Sequence, residues 1–252
     1  MARRLLRYTE KHYKAIDVMG DKLKVLAIVP AYNEEANIVS TVEDLSRNAP
    51  GVDRVVINDG SSDATEAICL KHGFNIITLP VNLGLAGGFQ TGMKYAYAHD
   101  YDFAIQFDAD GQHSAAYIWP MVYQAEADGS DIVIGSRFCA QKKPFSARMV
   151  GSALITAMIR LTTGQKVQDP TSGMRLFDRN MIRLFALNYD YSPEPDTIAL
   201  CIRNGAKVSE MQVEMRDRTA GESYLNFTKS VAYMLRVCIS IMFVQWFRKK
   251  GN

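Results

Sequence analysis

Three short stretches of the chain gather carboxylates: residues 30–35 read PAYNEE, 58–63 read NDGSSD and 108–113 read DADGQH. Asp108 and Asp110 stand two apart, so on extended backbone both project to one side, and Gly111 lets the chain turn away from them. Mg²⁺ and Mn²⁺ are held in this manner, by one or two carboxylates, with the remaining positions left for phosphate oxygens. Such a turn therefore suits a ligand that carries a phosphate or pyrophosphate. The same residues also fit an Asp-Gly turn whose acids are merely solvated. A calcium loop of the EF-hand type is excluded, because Gln112 and His113 occupy the places of its third acid and its glycine.

Residues 82–92, NLGLAGGFQTG, form a glycine-rich turn entering a helix, a geometry in which backbone approaches phosphate. No Gly-Lys-Ser/Thr follows, as a P-loop would need, and Gly84, Gly87 and Gly88 do not give the dinucleotide-binding spacing. Tight packing of a helix on a sheet explains the glycines equally well. Arg137, Arg148, Arg175, Arg216 and Arg218 are candidate anion contacts, since guanidinium groups bind phosphate through paired hydrogen bonds; a salt bridge is the alternative for each. His113 reads as a turn residue, and His12, His72 and His99 as surface residues.

The elements that must position these residues alternate as a parallel α/β sheet demands. β-type runs are expected at 25–29, 54–57, 75–79, 103–107 and 131–134, and the three acidic stretches follow the first, second and fourth of them. Ligands of an open parallel sheet bind beyond the carboxyl ends of its strands, which is where those stretches fall. One helix is expected to begin at Asn33, with Glu34 and Glu35 against the positive end of its dipole. Another is expected to open on a capping box from Asp63 to Glu66 and to end at Gly73. Pro120 is expected to distort a helix starting near Ser114. Further helices are expected at 146–162, 178–187 and 194–204, the last stopped by Gly205, and a strand at 208–215. No repeat, linker or low-complexity segment interrupts the pattern, so 24–228 reads as one domain, preceded by a basic extension at 1–23.

Across 252 residues the formal net charge is only +2, and no Lys/Arg run is interleaved with aromatics, so nucleic acid is not an expected partner. The charge is unevenly placed. Arg3, Arg4, Arg7, Lys11 and Lys14 crowd one end, and after Glu222 there is no acidic residue, while Lys229, Arg236, Arg248, Lys249 and Lys250 follow. The four cysteines are far apart and form no Cys-x-x-Cys pair, which argues against both a zinc site and a disulfide framework and fits a reducing, cytoplasmic setting. Residues 231–247 form the most apolar stretch but are broken by Arg236 and Gln245. They read as an amphipathic helix on an anionic membrane surface, within a basic C-terminal segment at 229–252 whose removal is expected to leave a folded domain. A helix closing the protein's own core, a homo-oligomer interface, or docking on a small membrane protein are the alternatives.

Taken in order, VPAYNEE, NDGSSD, N-x-G-x-x-x-G, DADGQH, GSRF (135–138), DPTSGMRLF (169–177) and DRTAGES (217–223) resemble glycosyltransferase family 2, with the GT-A fold, from about Val25 to Phe227. Within it the chain is most similar to the dolichyl- and undecaprenyl-phosphate sugar synthases. That resemblance implies an inverting enzyme at the cytoplasmic membrane face, taking a sugar from a nucleotide-diphosphate donor. It implies that Asp108, Asp110 and Gln112 hold Mg²⁺ or Mn²⁺, and that Pro30, Tyr32, Glu34 and Asp59, with Gly84, line the nucleotide site. Arg218 would lie in a loop closing over the donor, and Arg137, Arg148 and Ser152 would grip the phosphate of a polyprenyl-phosphate acceptor. Two departures stand out: Asn58 replaces an aspartate common in the family, and Tyr224 replaces a lysine.

A sugar hydroxyl is the rival acceptor, as in cell-wall or capsular polysaccharide synthesis. It must lose a proton as it attacks and so needs a placed base, for which Asp169, Glu194 and Asp196 are the candidates, Asp169 best placed by resemblance. A sugar nucleotidyltransferase would carry a Gly-rich loop with Arg and Lys near its start, where this chain has PAYNEE. A non-catalytic binding subunit would have no use for intact metal carboxylates.

Overall fold

The computed structural model describes residues 23–140, 147–216 and 227–244, without the side chains of 147–148, 227–231 and 244. A seven-stranded sheet forms from β1 (Val25–Ala31), β2 (Asp53–Asn58), β3 (Ile76–Thr78), β4 (Phe103–Gln106), β5 (Ile132–Ser136), β6 (Arg175–Asp178) and β7 (Val208–Gln212), in the order β3-β2-β1-β4-β6-β5-β7. All neighbouring pairs are parallel except those made by β6, which runs antiparallel between β4 and β5. Eight α-helices are described: α1 (Ile38–Asn48), α2 (Thr65–Lys71), α3 (Gly84–Ala98), α4 (Ile118–Asp128), α5 (Ala147–Thr163), α6 (Arg179–Leu187), α7 (Pro195–Arg203) and α8 (Phe227–Ile239), the last continued by a π-turn, Ser240–Val244. This is the mostly parallel α/β architecture that the strand and helix periods imply.

Helices cover both faces of the sheet, so the central strands are buried on both sides and read as continuous apolar runs. In β1, Leu26 and Ile28 pack with Phe89, Met93 and residues of α5, α6 and α7, whereas Val25, Ala27 and Val29 face α1 and α4. Helix α3 lies so close on β1 that a Cβ on Gly92 would collide with the Ile28 side chain. The packing explanation of the glycine-rich segment therefore holds at that position.

Local chemistry changes several expected boundaries. Asn33 has a positive φ of 56°, which no helix interior allows, and α1 begins only at Ile38. Asp63 and Glu66 do not form a capping box: Asp63 accepts hydrogen bonds from Thr65, through N at 3.0 Å and Oγ1 at 2.5 Å, and Glu66 turns to Thr78. The helix expected from near Ser114 opens as a 3-10 turn, Ala115–Tyr117, and becomes α-helical at Ile118, and Pro120 lies in the first turn of α4, where a backbone N–H has no intrahelical acceptor to lose. The strand expected over 208–215 ends at Gln212. Strand β6 was not anticipated. The expected division at 229 does not coincide with a break in packing, since Val237 and Ile241 of the last helical segment are buried in the same core as α5 and α7. Among the described residues no helix is long and apolar enough to cross a membrane.

Candidate active site

The three acidic stretches and two later motifs converge at the carboxyl edge of the parallel strands, and hydrogen bonds between loops hold them there. PAYNEE and NDGSSD are zipped together. Asn33 donates its N–H to Ser61 Oγ and accepts from Ser62 N, and Glu35 donates its N–H to Asp63 Oδ2 while its own carboxylate accepts from Ala64 N. Burial works to raise the Asp63 carboxyl, but hydrogen bonds from Thr65 and from the Glu35 backbone outweigh it and hold the group below its ordinary value. Glu34 is half-buried and accepts from Asn37 Nδ2 at 2.8 Å, Tyr32 is exposed, and Pro30 lies half-buried within β1.

Asp59 is 4% exposed and accepts the N–H of Leu83 at 2.7 Å, tying the second loop to the start of α3, where Gly84 has φ 74°. The preceding Asn58 is buried; its Oδ1 accepts from Ser61 N and its Nδ2 donates to Thr78. An aspartate could accept but not donate, so the departure from the family pattern serves a local two-sided bond.

The DADGQH turn follows β4. Asp108 Oδ1 accepts from Gln106 Nε2 at 2.9 Å, its N–H donates to His113 Nδ1 at 3.0 Å, and His113 Nε2 lies 3.8 Å from Oδ2. A proton donated to Nδ1 fixes the neutral ring as the Nε2–H tautomer. His113 sits in the turn, as expected, and at 4% exposed it is also a buried brace of the carboxylate. Gly173 of the DPTSG motif presses on the same carboxylate, since a Cβ there would collide with Asp108 Oδ2. Asp110 accepts from Gln112 N at 3.0 Å, and Thr41 of α1 anchors the turn at Ala109 O. Among the described residues no three His, Cys, Asp or Glu side chains gather as a metal cage. The donor set is two carboxylates and an amide on one turn, which suits a hard cation that shares its shell with phosphate oxygens.

Arg137, just after β5, and Asp169 were expected in separate roles, and the structure joins them. The guanidinium meets the carboxylate twice, Nε to Oδ2 at 2.7 Å and Nη2 to Oδ1 at 2.8 Å, and the Arg137 N–H adds a third bond. Asp169 is fully buried while the Arg137 side chain stays 22% exposed. Ser152 is buried on α5. The side chain of Arg148, and Arg218 with the rest of DRTAGES, lie outside the described residues. The chain reaches that segment from Arg216, whose N–H donates to Gln112 O at 2.9 Å, beside the acidic turn.

Two of the candidate arginines have other work. Arg216 pairs with Asp44. Arg175 is 2% exposed and donates to Pro193 O and Pro170 O, bracing the loop that carries Asp169. The other two candidate bases are engaged from α8 and its π-turn: Glu194 accepts from Tyr233 Oη, and Asp196 accepts from Ser240 Oγ at 2.5 Å.

The chain is 30% identical to the UDP-N-acetylglucosamine–dolichyl-phosphate N-acetylglucosaminyltransferase of Methanococcus voltae, over 67% of this chain and 74% of that one. It is 25% identical to the polyprenol monophosphomannose synthase of Mycolicibacterium smegmatis, over 85% of each. Among solved structures, glucosyl-3-phosphoglycerate synthase of Mycobacterium tuberculosis, in complex with Mn²⁺, uridine diphosphate and phosphoglyceric acid, shares the fold with a TM-score of 0.67. The identity is 17%, over 94% of this chain and 83% of that one. The profile of glycosyl transferase family 2 matches residues 26–185, and with the sheet and loops described above the chain belongs to that family, as a glycosyltransferase of GT-A fold.

Proposed function

We propose that the protein transfers a hexose from a uridine or guanosine diphosphate sugar to a polyprenyl phosphate at the cytoplasmic face of a membrane, with inversion at the anomeric carbon. The observation that carries the choice of acceptor is the state of the three candidate bases. Asp169 is bound by Arg137, Glu194 by Tyr233 and Asp196 by Ser240. A sugar hydroxyl needs a base within hydrogen-bond reach. A phosphate monoester has a second pKa near ~6 and is already an anionic nucleophile at neutral pH, so the protein has only to hold it in line. The exposed part of Arg137, with Arg148 and Ser152, supplies donors for that grip, and Asp169 orients Arg137. The names of the M. voltae and M. smegmatis relatives support the same acceptor class.

For the donor, Pro30, Tyr32, Glu34, Asp59 and Gly84 form the nucleotide side of the site, and Arg218 closes over it. Asp108, Asp110 and Gln112 hold Mg²⁺ or Mn²⁺, whose charge offsets that of the departing pyrophosphate. Purified protein incubated with a panel of nucleotide sugars, polyprenyl phosphate and either metal should release nucleoside diphosphate with one donor. Asp110→Ala and EDTA should each abolish that release. Full activity in excess EDTA would refute the metal assignment, and transfer to a glycan with no transfer to polyprenyl phosphate would refute the acceptor.

A further inference from the structure

Helices α5 and α8 pack on each other so closely that a Cβ on Gly151 would collide with Met234. Their inner residues, Ile155 and Ile159 on one and Val237 on the other, belong to the core. Their outer sides are also apolar. Val150, Leu154 and Leu161 of α5 are 56%, 44% and 69% exposed; Leu235 and Ile239 of α8 are 54% and 55%, and Phe243 of the π-turn is 62%. These follow helical spacing, and on α5 Ala157 fills the remaining position of the stripe. They are six of the fourteen large apolar side chains most exposed among the described residues. A soluble surface has no reason to concentrate them on two adjoining helices.

The charges that these two helical segments themselves carry have one sign. From Ala147 to Gln168 the sequence has no acidic residue, and none follows Glu222. Arg160, Lys166 and Arg236 are exposed beside the stripes, and Arg160 and Lys166 rim an open groove floored by Ala153 and Ala157. Exposed apolar side chains flanked by cations of the same helices complement an anionic bilayer, acyl chains taking the former and headgroups the latter, while Glu194 and Asp196 are engaged by Tyr233 and Ser240. A second copy of the same face would bring like charges together.

We propose that α5 and α8 together form a membrane-docking face that seats the catalytic domain on an anionic lipid surface, so that contact with lipid is not confined to the C-terminal segment. The link to catalysis rests on the acceptor reading above. Arg148 and Ser152 belong to α5, so a lipid phosphate held by them would be bound by an element of the docking face, with Ser152 itself on the buried side of that helix.

The test is sedimentation of the full chain with vesicles of phosphatidylcholine containing phosphatidylglycerol, free of polyprenyl phosphate and of nucleotide sugar. The exposed pairs Leu154→Ser/Leu161→Ser on α5 and Leu235→Ser/Phe243→Ser at α8 should each lower vesicle partitioning at least about tenfold, with thermal unfolding unchanged. Binding should weaken in high salt and on vesicles of phosphatidylcholine alone. Binding that survives the α5 pair overturns the two-helix face, as does a vesicle-free dimer that the same substitutions dissolve. Transfer to a detergent-solubilised acceptor should persist in all of these variants, so loss of vesicle binding is read separately from failure of the transfer reaction.

Discussion

Asp108 and Asp110 have the same side chain on the same turn and unequal surroundings. Asp108 is pinned by Gln106, His113 and the backbone of Gly173, whereas Asp110 meets the N–H of Gln112. The paired carboxylates were legible in the sequence because their spacing is local. The pinning was not, since Gly173 meets Asp108 only through the fold. Gln106 gave a signal in hindsight, as a lone amide in the otherwise apolar run FAIQF, and its Oε1 is buried without a hydrogen-bond partner. His113→Leu should leave the Asp108 N–H unpaired, at a cost of about 1–3 kcal/mol. The expected result is a melting temperature lower by several degrees and a kcat reduced more than about tenfold, read by thermal denaturation and nucleoside diphosphate release. Asp169→Asn frees Arg137 from its bidentate partner. If Asp169 positions Arg137, the KM for polyprenyl phosphate rises and the donor KM does not; a fall in kcat alone, with both KM values kept, would mark Asp169 as the base.

At the scale of elements, β1, β2 and β4 were legible because VLAIV, VVI and FAI are buried apolar runs set between helical patterns. Strand β6 was not, because RLFD is charged at both ends and becomes a strand only by pairing with β4 and β5. The start of α1 was misplaced because side-chain bonds to the NDGSSD loop hold Asn33 in its left-handed conformation, and no periodicity reports them. Helix α6 begins at an N-cap, Asp178, whose Oδ1 accepts from Met181 N at 2.8 Å. Burial, aided by the nearby Asp131, pushes the Asp178 carboxyl from 3.8 to about 6 in spite of that bond. The folded state therefore binds this proton more tightly than the unfolded chain does, and the stability it confers is full below about 3.8 and is lost as pH rises through about 6. Asp178→Asn keeps the capping acceptor and removes the buried charge. It should raise the melting temperature at pH 7.5 and flatten its pH dependence between 4 and 6, with kcat unchanged, since Asp178 pairs with Phe103 at the opposite edge of the sheet from the acidic turn.

For the whole molecule, the two-layered core followed from the alternation along β1, but the place of α8 did not. Its sequence is amphipathic, and amphipathicity does not say which face meets protein. The structure assigns the Val237 and Ile241 side to the core and engages Glu194 and Asp196 through Tyr233 and Ser240. Removal of 229–252 should thus not leave the folded domain that the composition suggested: Ile155 and Ile159 would be uncovered and two carboxylates left without their hydroxyl partners. The expected outcome is an aggregating protein or one that melts well below the full chain, by differential scanning calorimetry. Strand β6 has a consequence for synthesis on the ribosome. Strands β1 to β4 emerge first and can pair, but the free edge of β4 has to wait for Arg175–Asp178, and β5 has no neighbour until β6 or β7 arrives. At roughly 5–20 residues per second the edge FAIQ stays open for several seconds, as a template for pairing with another nascent chain. Soluble yield is then set by how well that edge is shielded during translation, and slower growth or a co-expressed holdase chaperone should raise it more than any mutation that stabilises the finished fold.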